Sequence, residues 1–136
     1  MNNEIKITIP IEPKTKKNSQ RIAINKVTGK MFIIPSEAFK QYERDAGYFV
    51  NRYARMKINE PVNIKCLFFM KTRRLCDLTN LLEAIDDILV NAGVLSDDNY
   101  SIIAGHDGSR VLYDKANPRT EICITPLETG AENDNI

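Results

Sequence analysis

Isoleucine occupies every second position from Ile5 to Ile9, with Lys6 and Thr8 between. That alternation predicts a strand over residues 4–9, ended by Pro10 and Pro13. Two short apolar runs, 21–25 and 30–34, flank Lys26-Val27-Thr28-Gly29 and read as a hairpin. Ser36 follows Pro35 and can cap a helix. Phe39, Tyr42, Ala46, Phe49, Val50 and Tyr53 then recur at helical spacing, so a helix is expected over 36–56, broken by Asn59 and Pro61. Val62 to Met70 is rich in Val, Ile, Leu and Phe and reads as a central strand. Leu78, Leu81, Leu82, Ile85, Ile88, Leu89 and Ala92 stripe a second helix over 78–92, with Gly93 as its stop. Residues 100–105, 111–115 and 119–125 read as strands, the first two joined at a His106-Asp107-Gly108 turn. This order predicts an α+β (mixed α/β) fold, a small mixed sheet with two main helices packed on it. One domain is expected over 1–125, followed by an acidic flexible tail over 126–136.

The 136 residues are one domain's worth, and 43% hydrophobic with 27% charged positions excludes wholesale disorder. No run approaches the ~20 apolar residues of a membrane span. The opening MNNEIKITIP has no signal-peptide core, so a cytoplasmic protein is expected. Cys66, Cys76 and Cys123 lack a C-x-x-C spacing, and His106 is the single histidine. That set supplies no structural zinc site and reads as reduced thiols, with Cys66 and Cys123 packed in strands. Tyr42, Tyr53 and Phe39 read as core aromatics, and His106 as an ordinary surface histidine.

The net charge of +1 conceals two opposed regions. Residues 13–57 carry eleven Lys/Arg against three acids, a surplus of eight positive charges. Residues 77–136 carry three bases against twelve acids, a surplus of nine negative charges. A basic region fits a polyanion, and a carboxylate-rich one fits hard cations.

The two meet in Lys71–Asp98. Lys71, Arg73 and Arg74 directly precede Asp77 at the start of the second helix, where backbone N–H groups favour phosphate. Asn80, Glu83 and Asp87 form a polar stripe on that helix, and Asp97-Asp98 follow in the next loop. Carboxylates beside a phosphate-binding patch are what metal-assisted phosphodiester cleavage needs. By spacing alone the same residues also read as a helix cap (Asp77), a wet helix face and a turn. Lys14, Lys16, Lys17, Asn18 and Arg21 form a second basic, loop-borne set.

Asp77-Leu78-Thr79-Asn80-Leu81, a helix, and then Gly93-Val94-Leu95-Ser96-Asp97-Asp98 resemble the signature of RusA-type Holliday-junction resolvases, whose pattern is D-L-D-N-L, a helix, a turn and a D-D pair. The layout over residues 4–125 is similar too. The resemblance implies a homodimeric, Mg²⁺-dependent endonuclease (Mn²⁺ substituting) that cuts four-way or other branched DNA symmetrically in recombination and repair, often phage- or prophage-encoded. It implies no membrane partner and no small-molecule cofactor. Carried over by position, Asp77 and Asp98 are the catalytic aspartates, Asp97 an acidic neighbour on the metal, and Asn80 the family's asparagine. Lys14, Lys16, Lys17, Asn18, Arg21, Lys71, Arg73, Arg74 and Asn80 are the expected DNA contacts. Two positions depart: Thr79 stands in place of an aspartate, and Glu83 in place of a functional lysine. Glu83, one turn on, can compensate as a catalytic and metal-binding carboxylate. The alternative is a non-catalytic branched-DNA-binding module whose metal site has decayed at Thr79.

The second helix is ~20 Å long, so Asp77 and Asp98 start at opposite ends. The five steps from Gly93 to Asp98 reach at most ~17 Å, which leaves an intrachain return or a site shared by two copies.

Overall fold

The computed structural model describes residues 3–16 and 20–127. Strand β1 is Ile5–Ile9, and β2 (Gln20–Ile24) and β3 (Met31–Pro35) are a two-stranded antiparallel hairpin apart from the main sheet. Helix α1 is Glu37–Val50, continued by a 3₁₀ turn Asn51–Tyr53. Then come β4 (Val62–Met70), α2 (Leu78–Asn91), β5 (Ile103–Gly105), β6 (Arg110–Tyr113) and β7 (Arg119–Pro126). The fold is α+β, with two helices on a mixed sheet.

β7 lies antiparallel between β1 and β4. The other edge of β4 is shared end to end by β5, at Val62–Asn63, and β6, at Leu67–Met70, both parallel to it. Between them side chains replace the missing ladder. The amide of Asn63 accepts from the Asp107 N–H (2.8 Å) and donates to the Asp107 carbonyl (3.1 Å), and Cys66 N–H donates to Ser109 Oγ (2.9 Å). The 106–109 turn is thereby pinned to the central strand.

One sheet face builds the core. Ile7 and Ile9, Ile64, Cys66 and Phe68, and Ile122 and Ile124 meet Phe39, Tyr42, Ala46 and Val50 of α1 and Leu81, Ile85, Ile88 and Leu89 of α2. Burial pushes the Cys66 thiol and the Tyr42 hydroxyl well above their usual pKa values. All three cysteines are free, Cys66 buried and Cys123 half-buried in their strands.

The expected helix over 36–56 stops at Val50. The Ala54 N–H turns back to the Asn51 carbonyl (3.0 Å), tightening the chain into a 3₁₀ turn, and Lys57 adopts φ +41°. The strand expected from residue 100 starts only at Ile103. Asn99 holds an Asx turn, its side chain accepting from Ser101 N–H (2.9 Å) and its carbonyl from the Ile102 and Ile103 N–H groups. β6 ends at Tyr113, where Asp114 accepts from Asn117 N–H (3.1 Å). Pro126 belongs to β7, and Leu127 N–H reaches the Pro61 carbonyl (3.1 Å), so that part of the expected tail is ordered structure. Residues 128–136 lie outside the described residues.

α2 ends in a Schellman turn. Gly93 N–H donates to Val90 and Val94 N–H to Leu89, with Gly93 at φ +84°. The chain leaving it is fastened to the 57–58 segment: Lys57 N–H to the Gly93 carbonyl (3.0 Å), Ile58 N–H to Val94 (2.9 Å) and Ser96 N–H to Ile58 (2.8 Å). Asp97 and Asp98 follow directly, so their position is set by this clasp.

Candidate metal and nucleic-acid site

Asp77 occupies the N-cap position of α2 with extended backbone (φ −89°, ψ 124°), but its side chain makes no capping bond. Its carboxylate instead accepts from Asn80 Nδ2 (3.2 Å) and stays exposed. The helix-cap reading of Asp77 is therefore corrected: its carboxylate caps no backbone N–H of the helix and bonds only the Asn80 side chain.

The approach to Asp77 is basic. Lys71, Arg73 and Arg74 are exposed on the link between β4 and α2, with the Arg73 guanidinium 4.0 Å above the Tyr113 ring. The N-terminal loop lies across from this link. Pro13 and Thr15 are buried, Lys14 between them is half-buried and paired with Glu12 (3.2 Å), and Lys16 is exposed. A groove of about 330 Å³ runs between the two segments, lined by Lys14, Thr15, Thr72, Arg74, Leu75 and Cys76 among others. Lys17 and Asn18 lie outside the described residues, and Arg21 is placed only as a position in β2. A larger hollow of about 620 Å³, by Asp114 and Arg119, has its cation engaged: Arg119 bonds Asp114 (2.9 Å) and Glu121 (2.7 Å) and covers Phe69.

The polar stripe of α2 is present, with Asn80 and Asp87 half-buried and Glu83 exposed. Asp87 is its electrostatic centre. Burial, and then the negative charges of Glu83, Asp98 and Asp86, push its carboxyl above the usual range, and Lys16 partly offsets them. Asp98 thus shares a field with Asp87 and Glu83, near the far end of α2 from Asp77. Asp77 and Asp87 are ten residues apart, ~15 Å along the helix axis. Asp97 is occupied locally, accepting from Asp98 N–H (2.7 Å) and Asn99 Nδ2 (3.1 Å).

Among the described residues no three His, Cys, Asp or Glu side chains stand where they could jointly hold a metal ion. Asp77, Glu83, Asp97 and Asp98 of one chain therefore supply no such group of three by themselves.

Two residues outside the expected site matter. Asp87 belonged to the visible stripe, and its i+4 spacing from Glu83 was the available signal. Asp86 pairs with His106, whose Nε2 lies 2.8 and 3.0 Å from the two carboxylate oxygens. The expectation of an ordinary surface histidine is corrected accordingly. Twenty residues separate the partners, so periodicity gives no sign of the contact.

The hydrogen bond that His106 donates to the Asp86 carboxylate raises the His106 pKa above its usual value; burial opposes this, and the charges of Asp86 and Asp107 add to it. Protonated His106 is therefore favoured by folding. Its contribution is complete below the unfolded value of about 6.5 and is lost as pH rises through the higher folded value. Melting temperature measured against pH should fall across that window, and His106→Gln should flatten the fall. An unchanged profile would show that the pair does not couple to folding.

For Asp87 the sign is opposite in consequence. A carboxyl raised by burial and repulsion is destabilising when ionised, so Asp87→Asn should raise the melting temperature at pH 7 by about 2 °C. Calorimetry of wild type and variant checks this, and an unchanged or lower melting temperature would contradict it.

No protein-family model matches the chain, and no curated protein matches it. No helix among the described residues is long and apolar enough to cross a membrane.

Proposed function

We propose that this protein is a structure-selective endonuclease that resolves four-way DNA junctions by paired phosphodiester cuts, acting as a homodimer. The observation that carries the reading is the exposed Asp77 carboxylate, which caps none of the backbone N–H groups of the helix it begins and is preceded by Lys71, Arg73 and Arg74. The resemblance of the Asp77–Asp98 block to RusA-type resolvases supplies the reaction class.

In this reading Lys14, Lys16, Lys71, Arg73 and Arg74 bind backbone phosphates without reading sequence, and binding falls steeply with salt. The groove between the two basic segments orients a strand toward Asp77. Asn80 fixes the rotamer of the Asp77 carboxylate through its 3.2 Å bond. Glu83 and Asp87 on the same helix, and Asp98 in the loop after it, add negative charge and keep phosphates away except where cations compensate. Two copies related by a two-fold axis present two such sites to a two-fold substrate. Mg²⁺ dependence is what the resemblance implies and is tested by chelation.

A second reading is favoured by the separation of Asp77 from Asp98 and by Thr79: a module that binds branched DNA without cutting it. The separating experiment incubates the protein with a labelled four-way junction and a matched linear duplex, with Mg²⁺ or with EDTA. Cleavage of the junction in Mg²⁺ alone supports the endonuclease. Tight, junction-selective binding with no product supports the module.

A further inference from the structure

We infer that the Arg73–Tyr113 stack, together with Leu75 on the same link, is a subsite for an unpaired nucleobase of the DNA that reaches Asp77. This rests on the nucleic-acid reading above and names the feature of the substrate that this end of the fold selects. Met70 and Tyr113 are the last residues of the parallel strands β4 and β6 and are register partners. Alternation from buried Ile64, Cys66 and Phe68 puts Met70, and with it Tyr113, on the sheet face that carries α2. The Asp114 N–H donates to the Met70 carbonyl (2.9 Å), which fastens the two strand ends together where the link to Asp77 departs. Tyr113 stays 40% exposed there. Met70 also lines the groove between the N-terminal loop and the link.

Arg73 and Arg119 both lie over aromatic rings, and they differ in what else holds them. Arg119, over Phe69, is bonded to Asp114 and Glu121, so its donors are engaged inside the fold. Arg73, 4.0 Å from the Tyr113 ring, has no ion pair or side-chain hydrogen bond among the described residues. An exposed cation–π pair contributes little to folding. A guanidinium laid over a ring with its donors free is suited to take a base on its plane and a phosphate at its edge.

Leu75 is 96% exposed, two residues before Asp77. Single exposed leucines are ordinary on protein surfaces. This one projects from a link that holds Lys71, Arg73 and Arg74 and no acid over 71–76. Charge complementarity selects a polyanion as the occupant, and an apolar side chain among phosphate-binding cations can enter a base step and unstack it. The ring and the leucine offer nothing to phosphate alone, so the bases must also be reached. Stacked, paired bases of a linear duplex do not present their faces. The occupant is therefore a base left unpaired at a branch, and Tyr113, Arg73 and Leu75 are specificity-determining residues for such DNA.

The test is fluorescence anisotropy with the full chain, in EDTA so that no strand is cut. One probe is a forked duplex with unpaired thymidines at the branch, and the other is the same fork with abasic residues in their place. Wild type is expected to bind the fork with bases about tenfold more tightly. Tyr113→Phe keeps the ring and should keep that difference. Tyr113→Thr keeps a strand-compatible side chain and should bind both forks with the wild-type affinity for the abasic one. Leu75→Ser alters an exposed side chain, so it should leave the melting temperature unchanged and cut the preference by about threefold. Equal affinity of wild type for the two forks would overturn the inference, as would a Tyr113→Thr variant with the full preference. A base preference without junction cleavage in Mg²⁺ would support the subsite and remove the nuclease reading. Cleavage without a base preference would do the reverse, and no binding to either fork would overturn both.

Discussion

Asp77→Asn should lower junction cleavage at least ~100-fold while leaving the melting temperature within about a degree of wild type. Both halves follow from the placement of one carboxylate. Asp77 sits where a cap belongs but makes no cap bond, so the helix does not depend on its charge. Its one side-chain bond, from Asn80, is on an exposed surface and contributes little to folding. Asp77→Ala sharpens the point. A capping aspartate would cost about 1 kcal/mol on truncation, and here the change should be within about 0.5 kcal/mol. Thermal melts and initial cleavage rates for the three proteins check this. A destabilised Asp77→Ala with cleavage retained would return Asp77 to a structural role.

Gly93→Ala should destabilise the fold by about 3 kcal/mol, read as an early transition in urea. Two costs add. The residue is at φ +84°, in the left-handed region that a Cβ disfavours by roughly 1–2 kcal/mol. A Cβ there would stand 2.8 Å from the Ala54 carbonyl oxygen, a backbone atom that cannot swing aside. Relief requires moving the clasp between 93–96 and 57–58, so Asp97 and Asp98 shift with it. Cleavage should therefore fall further than the unfolded fraction alone explains. An Ala variant as stable as wild type would show that the clasp is compliant.

Elements whose signal is local were legible in the chain. The Leu81–Leu89 stripe and Gly93 mark α2, and Ser36 caps α1 through a bond from Phe39 N–H (3.1 Å) as expected. Gly29 closes the hairpin turn at φ +73°. What depended on distant partners was not legible. The sharing of one β4 edge by β5 and β6 rests on Asn63 and Ser109, and the Asp86–His106 pair exists only because that turn is pinned to the sheet. The hairpin strands were visible, but alternation says only that Ile22 and Ile24 share a face, not that this face stays exposed among the described residues.

For the candidate site, the basic approach to Asp77 and the Asn80–Glu83–Asp87 stripe were visible as spacing. The helix length already put Asp77 and Asp98 at opposite ends; what was not legible is the course of the loop after Gly93, which is clasped to residues 57–58 and leaves the Asp98 charge acting on Asp87.

The most direct test of the central claim is a cleavage map of a four-way junction labelled in turn on each of its four strands, in Mg²⁺ and in EDTA, with linear duplex alongside. Cuts are expected at symmetric positions in one opposed pair of strands, in the junction only, and none with EDTA. Equal cutting of the linear duplex, or tight junction binding with every strand intact in Mg²⁺, would contradict it.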